Sequence, residues 1–365
     1  MSKRADIAII GAGIAGASLA AEVAGEASVL LLEAEDQPGY HSTGRSAAFW
    51  AETYGGPLIQ PLTSASAPML RDGGFLRPRG ALHIADAEGR EALQDFRSEF
   101  AAVVGVREVD RSALEQLLPG VRQGWDDALL EPSCADIDVA ALHAHFLGEA
   151  RRKGALLVTR ARLTSADKVS GQWRLETGAG PFEARLLVNA AGAWADEIAL
   201  MAGVAPIGIQ PYRRTIAQLR VDPPAPEDLP LVIDALGRFY FKPEAGGRLW
   251  LSPHDETPCG PCDCAPEEYD VALAVDRLQQ VVDWRVARVE HRWAGLRSFA
   301  PDRLPVYGFA VERDDFFWCA GQGGFGIQTA PAAAKLAAAL LRVGPPDPAV
   351  AGIDPAPYLA GRFMN

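Results

Sequence analysis

A chain of 365 residues, 48% hydrophobic and 22% charged, has the composition of an ordinary globular protein and is long enough for two joined cores. Its net charge of −12 argues against a nucleic-acid-binding role, because affinity for phosphates rests on clustered Lys and Arg. No run of about 20 apolar residues could span a bilayer, and five cysteines, an odd number, point to reduced thiols and a cytoplasmic setting.

In chain order, the first predicted element is an apolar strand over Ala5–Ile10. The stretch MSKRADIAIIGAGIAG reads as that strand and a turn rather than a signal peptide, since glycines cut its apolar part. Next comes the hexapeptide GAGIAG (11–16), opening a helix from Ile14 to about Gly25. A buried strand, SVLLL, follows over Ser28–Leu32, and Glu33 ends it. Strand, glycine turn, helix, strand and terminal acid together make a nucleotide-binding βαβ unit. Gly11 would make the tight turn, Gly13 would let backbone approach a pyrophosphate, and Gly16 would let the helix pack closely. Glu33 would accept from ribose hydroxyls, while the helix N-terminus faces phosphate.

The segment QPGYHSTGRSAAFW (37–50) is rich in small and hydroxylic residues and is not the next regular strand of a simple NAD domain. Pro/Gly-rich stretches at 78–80, 221–230 and 257–266 read as surface loops. Farther on, LLVNAAGAWADEIA (186–199) reads as strand, small-residue turn and helix start. FFWCAGQGGFGIQTAPAAAKLAAALLR (316–342) reads as strand, glycine-rich loop and helix, with Pro331 in the first helical turn. Two glycine-rich strand-to-helix turns at opposite ends of the chain suggest one extended ligand held by both.

GAGIAG, Glu33, HSTGRSAA, VNAAGAW, AGLRSF and GQGGFGIQT, in that order, resemble the FAD-dependent D-amino acid oxidase and dehydrogenase (DAO) family, and within it the bacterial D-arginine dehydrogenase type. The resemblance covers nearly the whole chain and implies noncovalent FAD. It places the AMP half on Gly11, Gly13, Ile14, Ala15, Gly16, Glu33 and Ala34, with Arg162 passing the adenine. It places the isoalloxazine against His41, Ser42, Thr43, Arg45, Ser46, Ala47 and Ala48, with Ala191 and Gly192 nearby. The pyrimidine edge would meet Gly321, Gly323, Gly324, Phe325, Gly326, Ile327 and Gln328. A helix starting near Gly326 would aim its positive end at the edge of the ring where negative charge accumulates on reduction.

Substrate chemistry follows from the same resemblance. Arg297, an arginine in the otherwise apolar WAGLRSF, would clamp a carboxylate through its two-pronged guanidinium. Arg214 matches a second arginine, with Arg213 beside it as the competitor for that place. Tyr240 and Tyr54 match active-site tyrosines, the latter on a mobile loop, and the Gly324 carbonyl and Gln328 would lie near the substrate amine. The D-arginine type holds its cationic substrate with an acid where Gly80 stands here, and Phe49, followed by Trp50, replaces an expected histidine. A pocket walled by Phe49 and Trp50 suits neutral or apolar side chains, or an acidic one if Arg77 or Arg79 points inward.

His254, Cys259, Cys262 and Cys264 in HDETPCGPCDC approach a zinc-like spacing but lack a second ligand pair, so no metal is expected. His143 and His145 sit on different faces of a helix, and Cys319 reads as a buried thiol. No GxSxG elbow or P-loop lysine is present in the sequence.

The expectation is therefore an α/β protein with a Rossmann-like FAD-binding domain (1–75, 140–205, 300–365) interleaved with an antiparallel-sheet substrate domain (76–139, 206–299). The implied reaction oxidises a D-amino acid to the imino acid by hydride transfer to flavin N5, then yields 2-keto acid and ammonia, with O2 or a quinone as acceptor. The rivals are a glycine or sarcosine-type oxidase, a 2-hydroxy acid dehydrogenase and a non-catalytic flavin-binding protein.

Overall fold

The computed structural model describes residues 3–363; the outermost residues of the expected FAD-binding segments, 1–2 and 364–365, lie outside that range. A parallel sheet runs in the order Leu156–Val158, Val29–Leu32, Lys3–Ile10, Phe182–Asn189, Arg313–Ala320. Both faces of its central strands are buried. Ile7, Ile9, Val29 and Leu31 enter one core with the helices Ile14–Val23, Val139–Arg152 and Gly326–Leu341. Ala8, Ile10, Leu30 and Leu32 enter another, on the side of Ala195–Met201. Strands apolar at every position are what such double coverage demands. The outer edge of Phe182–Asn189 is shared: its first half pairs with Gln172–Thr177 of a hairpin, and Leu187, Val188 and Asn189 pair with Phe316, Phe317 and Trp318.

The second sheet is built on the ribbon of Gln210–Asp222 against Arg285–Phe299, antiparallel along its length, with Glu268–Val281 packed beside it. From there it continues through Arg248–Ser252, Tyr240–Glu244, Leu231–Asp234, Ala81–Ala85, Asp127–Glu131 and Arg107–Val109. The sheet departs from the all-antiparallel expectation at one join, where Leu231–Asp234 runs parallel to Ala81–Ala85. Short strands Phe49–Trp50, Ala135–Ile137 and Leu76–Pro78 form a third sheet.

The sheets meet at the C-terminal glycine loop. Gln322–Gly323 pairs with Phe299 and Ser298, so the loop leaving the parallel sheet becomes an edge strand of the second one before its helix starts. That helix begins at Gly326, which puts Pro331 in its second turn, not its first. The ring removes an intrahelical donor, and the next N–H, of Ala332, goes instead to Ser66 Oγ at 3.1 Å.

Candidate active site

The hexapeptide forms the turn its glycines allow. Gly11 has φ +98°, and a Cβ there would lie 2.5 Å from the Ala190 carbonyl oxygen. A Cβ on Gly16 would lie 1.9 Å from the Gly11 oxygen, so the helix can rest on the turn only if that residue is glycine. The helix has no side-chain cap at Gly13 and no acid in its first turn; the Ile14 N–H donates to Thr43 Oγ1 at 3.0 Å. A helix N-terminus without an acid in its first turn suits an anionic ligand. Glu33 is buried, and its two oxygens accept from the N–H groups of Ala12 (2.9 Å) and Glu35 (3.0 Å), stitching the strand end to the glycine turn.

A continuous cleft of about 370 Å³ starts here, within the range of roughly 300–1,000 Å³ usual for ligand sites. Its lining includes Gly11, Gly13, Ile14, Ala15, Glu33, Ala34, Arg162, Ala191 and Gly192 at one end. His41, Ser42, Thr43, Arg45, Ser46 and Ala47 border it midway, and Gly323, Gly324, Gly326 and Ile327 border the other end. Residues remote in sequence are thus brought to one groove. Gly16, Ala48, Gly321, Phe325 and Gln328 stand behind this surface rather than on it.

Several of those act as supports. Ala48 holds φ +56°, a left-handed conformation for a residue with a Cβ, and its carbonyl accepts from buried Lys242 Nζ at 3.0 Å. Gln328 is buried with its amide fully spent: Oε1 accepts from Ala51 N, while Nε2 donates to the Tyr54 carbonyl and Thr63 Oγ1, both at 2.9 Å. The expectation that Gln328 faces substrate is corrected: its side chain ties down the segment that carries Tyr54. Arg45 donates to the carbonyls of Cys264 and Ala294 and pairs with Asp263, while Ser42 Oγ donates to the Leu296 carbonyl at 2.7 Å.

At the far end stand two guanidiniums. Pairing of Tyr212 with Arg297 and of Arg214 with Gly295 brings them to adjacent strands. Strand alternation settles which of the neighbouring arginines faces the cleft. Arg214 lines it, whereas Arg213 turns away to pair with Glu267 and Asp270. Arg214 is 4% exposed, and burial together with neighbouring Arg297 pulls its pKa below the ordinary arginine value. Its Nε donates to the Asp255 carbonyl (2.7 Å) and Nη2 to Glu256 (3.0 Å), leaving buried Nη1 without a partner. Arg297 borders the cleft, and its Nη1 donates to the Tyr54 hydroxyl at 2.5 Å. A Cβ on Gly324 would lie 2.7 Å from that hydroxyl and 3.2 Å from Arg297 Cζ. Glycine therefore keeps this corner open for a ligand.

Aromatic rings stand beside the guanidinium pair, just outside the cleft lining. Phe49 meets Tyr54 and Tyr240 edge-on at 5.1 and 5.9 Å, and the buried Tyr240 hydroxyl has no partner. Trp50 is not part of this group. As the next residue of a strand it points the other way, fully buried, with Nε1 donating to the Thr63 carbonyl. Nor does an arginine from 77–79 enter: Arg77 is exposed, and Arg79 is engaged with Asp136 and the carbonyls of Glu227 and Leu229. Gly80, at φ +80°, is a turn residue outside the cleft lining.

Two contributors escaped the sequence. His254, read there within a zinc-like spacing, has its Nδ1 2.5 Å from the Gly237 carbonyl and its ring 5.6 Å from Tyr240. Burial, then Arg214 and Arg297, hold its pKa well below the ordinary histidine value, so the ring stays neutral. Glu131, fully buried, accepts from Glu52 N, Thr53 N and Thr53 Oγ1 and lies 3.2 Å from His83 Nε2, fixing the residues just before Tyr54. Among the described residues no His, Cys, Asp and Glu group could hold a metal ion, and no helix is long and apolar enough to cross a membrane.

The family described as FAD dependent oxidoreductase (DAO) matches residues 6–340. Glycine oxidase from Geobacillus kaustophilus is 25% identical over 362 residues, covering 93% of this chain and 94% of that protein. The hydrogen cyanide synthase subunit HcnC of Pseudomonas aeruginosa is 26% identical over 77% of this chain, which spans 66% of that subunit. The tRNA 5-methylaminomethyl-2-thiouridine biosynthesis bifunctional protein of Maricaulis maris is 30% identical over 98% of this chain, which spans 55% of that protein. The crystal structure of the Geobacillus glycine oxidase superposes with a TM-score of 0.84 at 22% identity over 99% of both chains. The cleft's paired glycine turns and acid-free helix ends fit the FAD this family uses, and the chain belongs to the FAD-dependent oxidoreductase (DAO) family.

Proposed function

We propose that this enzyme oxidises the Cα–N bond of a small amino acid with a neutral side chain, D-configured where Cα bears one, to the imino acid, which water converts to 2-keto acid and ammonia. The observation that carries the reading is the guanidinium pair at the end of the FAD cleft. Arg214 Nη1 is buried without a partner, and Arg297 is satisfied only by a tyrosine hydroxyl that a substrate can displace. With Glu256 the one carboxylate among the described residues bonded to the pair, two buried guanidiniums are costly unless a further anion completes them. A carboxylate is the group that takes two parallel donors from a planar fork.

Bound noncovalently in the cleft, FAD supplies a two-electron acceptor for a hydride. The chain's own residues then do the positioning. Arg297 and Arg214 fix the carboxylate, the Tyr240 hydroxyl donates to it, and Phe49 and Tyr54 exclude water. On this reading the FAD-binding lobe is the part built on the parallel sheet and the substrate lobe the part built on the larger sheet. The carboxylate at this end, Glu256, is paired with Arg214 and Arg303, and neither it nor His254 borders the cleft, so this reading assigns no obligatory protein base. The amine is thus taken in its neutral form.

A second reading, glycine or an N-alkyl glycine, is favoured by the full-length similarity to a glycine oxidase and by the close edge-on packing of Phe49, Tyr54 and Tyr240. An anaerobic screen of flavin bleaching separates the readings. Neutral D-amino acids such as D-alanine and D-leucine bleach the flavin under the first, and glycine and N-methylglycine alone under the second. Reduction by D-arginine as fast as by D-leucine, or by 2-hydroxy acids only, would overturn both.

A further inference from the structure

The sequence Cys259–Gly260–Pro261–Cys262 has the spacing of a redox-active dithiol, and the proposed chemistry makes no use of it. All five cysteines are free thiols. Cys262 is exposed and Cys259 half-buried, three residues apart on one short loop, and Cys262 is near enough to help push the Cys259 thiol up. Cys259 is pinned: its N–H donates to the Pro211 carbonyl at 3.1 Å and its carbonyl accepts from Gln210 Nε2 at 3.1 Å. Cys264 is pinned as well, packed with Ala193, Ala294 and Leu296, its carbonyl accepting from Arg45 Nη1 at 2.8 Å. Between these fixed points stands Asp263, which pairs with Arg45 and accepts from the Tyr40 hydroxyl at 3.0 Å. Arg45 borders the FAD cleft.

We infer that Cys259 and Cys262 are a reversible disulfide-forming modification site whose oxidation loosens the Asp263–Arg45 anchor and so weakens FAD retention. The oxidant is a hydroperoxide. The exposed Cys262 thiolate attacks the peroxide oxygen, its O–O bond breaks, and sulfenic acid and hydroxide form. Cys259 sulfur then attacks the Cys262 sulfur and releases water, so two thiols and one hydrogen peroxide give one disulfide and two waters. Cys262 reacts first because it is exposed, whereas burial, with Cys262 beside it, pushes the Cys259 thiol up and keeps it protonated until the sulfenic acid forms. Burial pushes Cys264 up to about 12, which leaves it out of the exchange. With both flanks pinned, the new bond is accommodated by the open Gly260–Pro261 turn, where a Cβ would meet nothing within 4 Å, and by Asp263.

The test uses the holoenzyme, treated with hydrogen peroxide or left reduced. Thiols are counted after denaturation, the bond is mapped by peptide mass, and FAD dissociation is followed by fluorescence. The thiol count is expected to fall from five to three, with the bond mapped to 259–262 and reversed by dithiothreitol. The FAD dissociation constant should rise two- to fivefold, the scale of one partly exposed ion pair. Asp263→Ala should reproduce that rise and make it insensitive to peroxide, and Cys262→Ser should abolish both thiol loss and shift. A count that stays at five, or a modified Cys262 that never pairs, overturns the site. A disulfide that leaves FAD affinity unchanged overturns the coupling. None of these readouts depends on which substrate is turned over.

Discussion

Replacing Arg297 by lysine keeps the charge but removes the fork. In the free enzyme Arg297 Nη1 donates to the Tyr54 hydroxyl, and on the proposed reading a bound carboxylate would take that donor together with a second one. A lysine in the same place offers one strong donor toward the carboxylate, so the complex loses about one charge-assisted hydrogen bond, about 1.5–3 kcal/mol. At 1.36 kcal/mol per decade this predicts a fall in kcat/KM of roughly 10- to 150-fold. The assay is steady-state turnover of a neutral D-amino acid or glycine, with FAD content and Tm as controls for folding. Arg213→Ala is the companion variant. Its side chain is committed to Glu267 and Asp270 away from the cleft, so kcat/KM should stay within twofold while stability drops. Comparable losses for Arg213→Ala and Arg297→Lys, or an unchanged kcat/KM in Arg297→Lys, would refute the assignment.

Three further outcomes are expected. Gly16→Ala should purify with little or no FAD, because its Cβ would collide with the Gly11 oxygen; full FAD occupancy in this variant contradicts the role given to the turn. Glu131→Ala leaves Thr53 and His83 unpaired in the interior, which should cost about 3–5 kcal/mol in denaturant unfolding and raise KM more than it lowers kcat. Burial opposes ionisation of Glu131, but His83 and Thr53 outweigh it and set its pKa below the ordinary 4.5. Because the folded value is the lower one, its contribution is present above pH 4.5 and lost as pH falls through the folded value, and a Glu131→Gln variant should show a flatter acid limb. For turnover, kcat/KM should rise with pH along the substrate ammonium alone. His254, held neutral, titrates well below its usual 6.5, so a histidine limb near 6.5 that disappears in His254→Asn would contradict its assigned state.

Much of the nucleotide end could be read from local sequence, because a tight turn, an approach to phosphate and a helix contact each call for glycine within six consecutive residues. The approach of segments 41–47 and 322–327 to the same groove is legible through the ordered motif set. What escaped depends on contacts between distant residues. Arg213 and Arg214 are indistinguishable until Glu267 and Asp270 are seen to claim the first. Phe49 and Trp50 differ only in strand phase. Motif matching puts Gln328 near the substrate amine because nothing local shows that its amide is spent on Thr63, 265 residues away. His254 looked like part of a cysteine cluster, and only the fold sets it beside the arginine pair.

The account's central claim is amine oxidation at the guanidinium end of the FAD cleft. The most direct measurement is an anaerobic single turnover with an α-amino acid accepted in the substrate screen, quantifying reduced flavin, ammonia and 2-oxo acid together. One ammonia and one oxo acid per FAD reduced is the predicted result. Oxo acid without ammonia, or a flavin that no amino acid reduces, would contradict it.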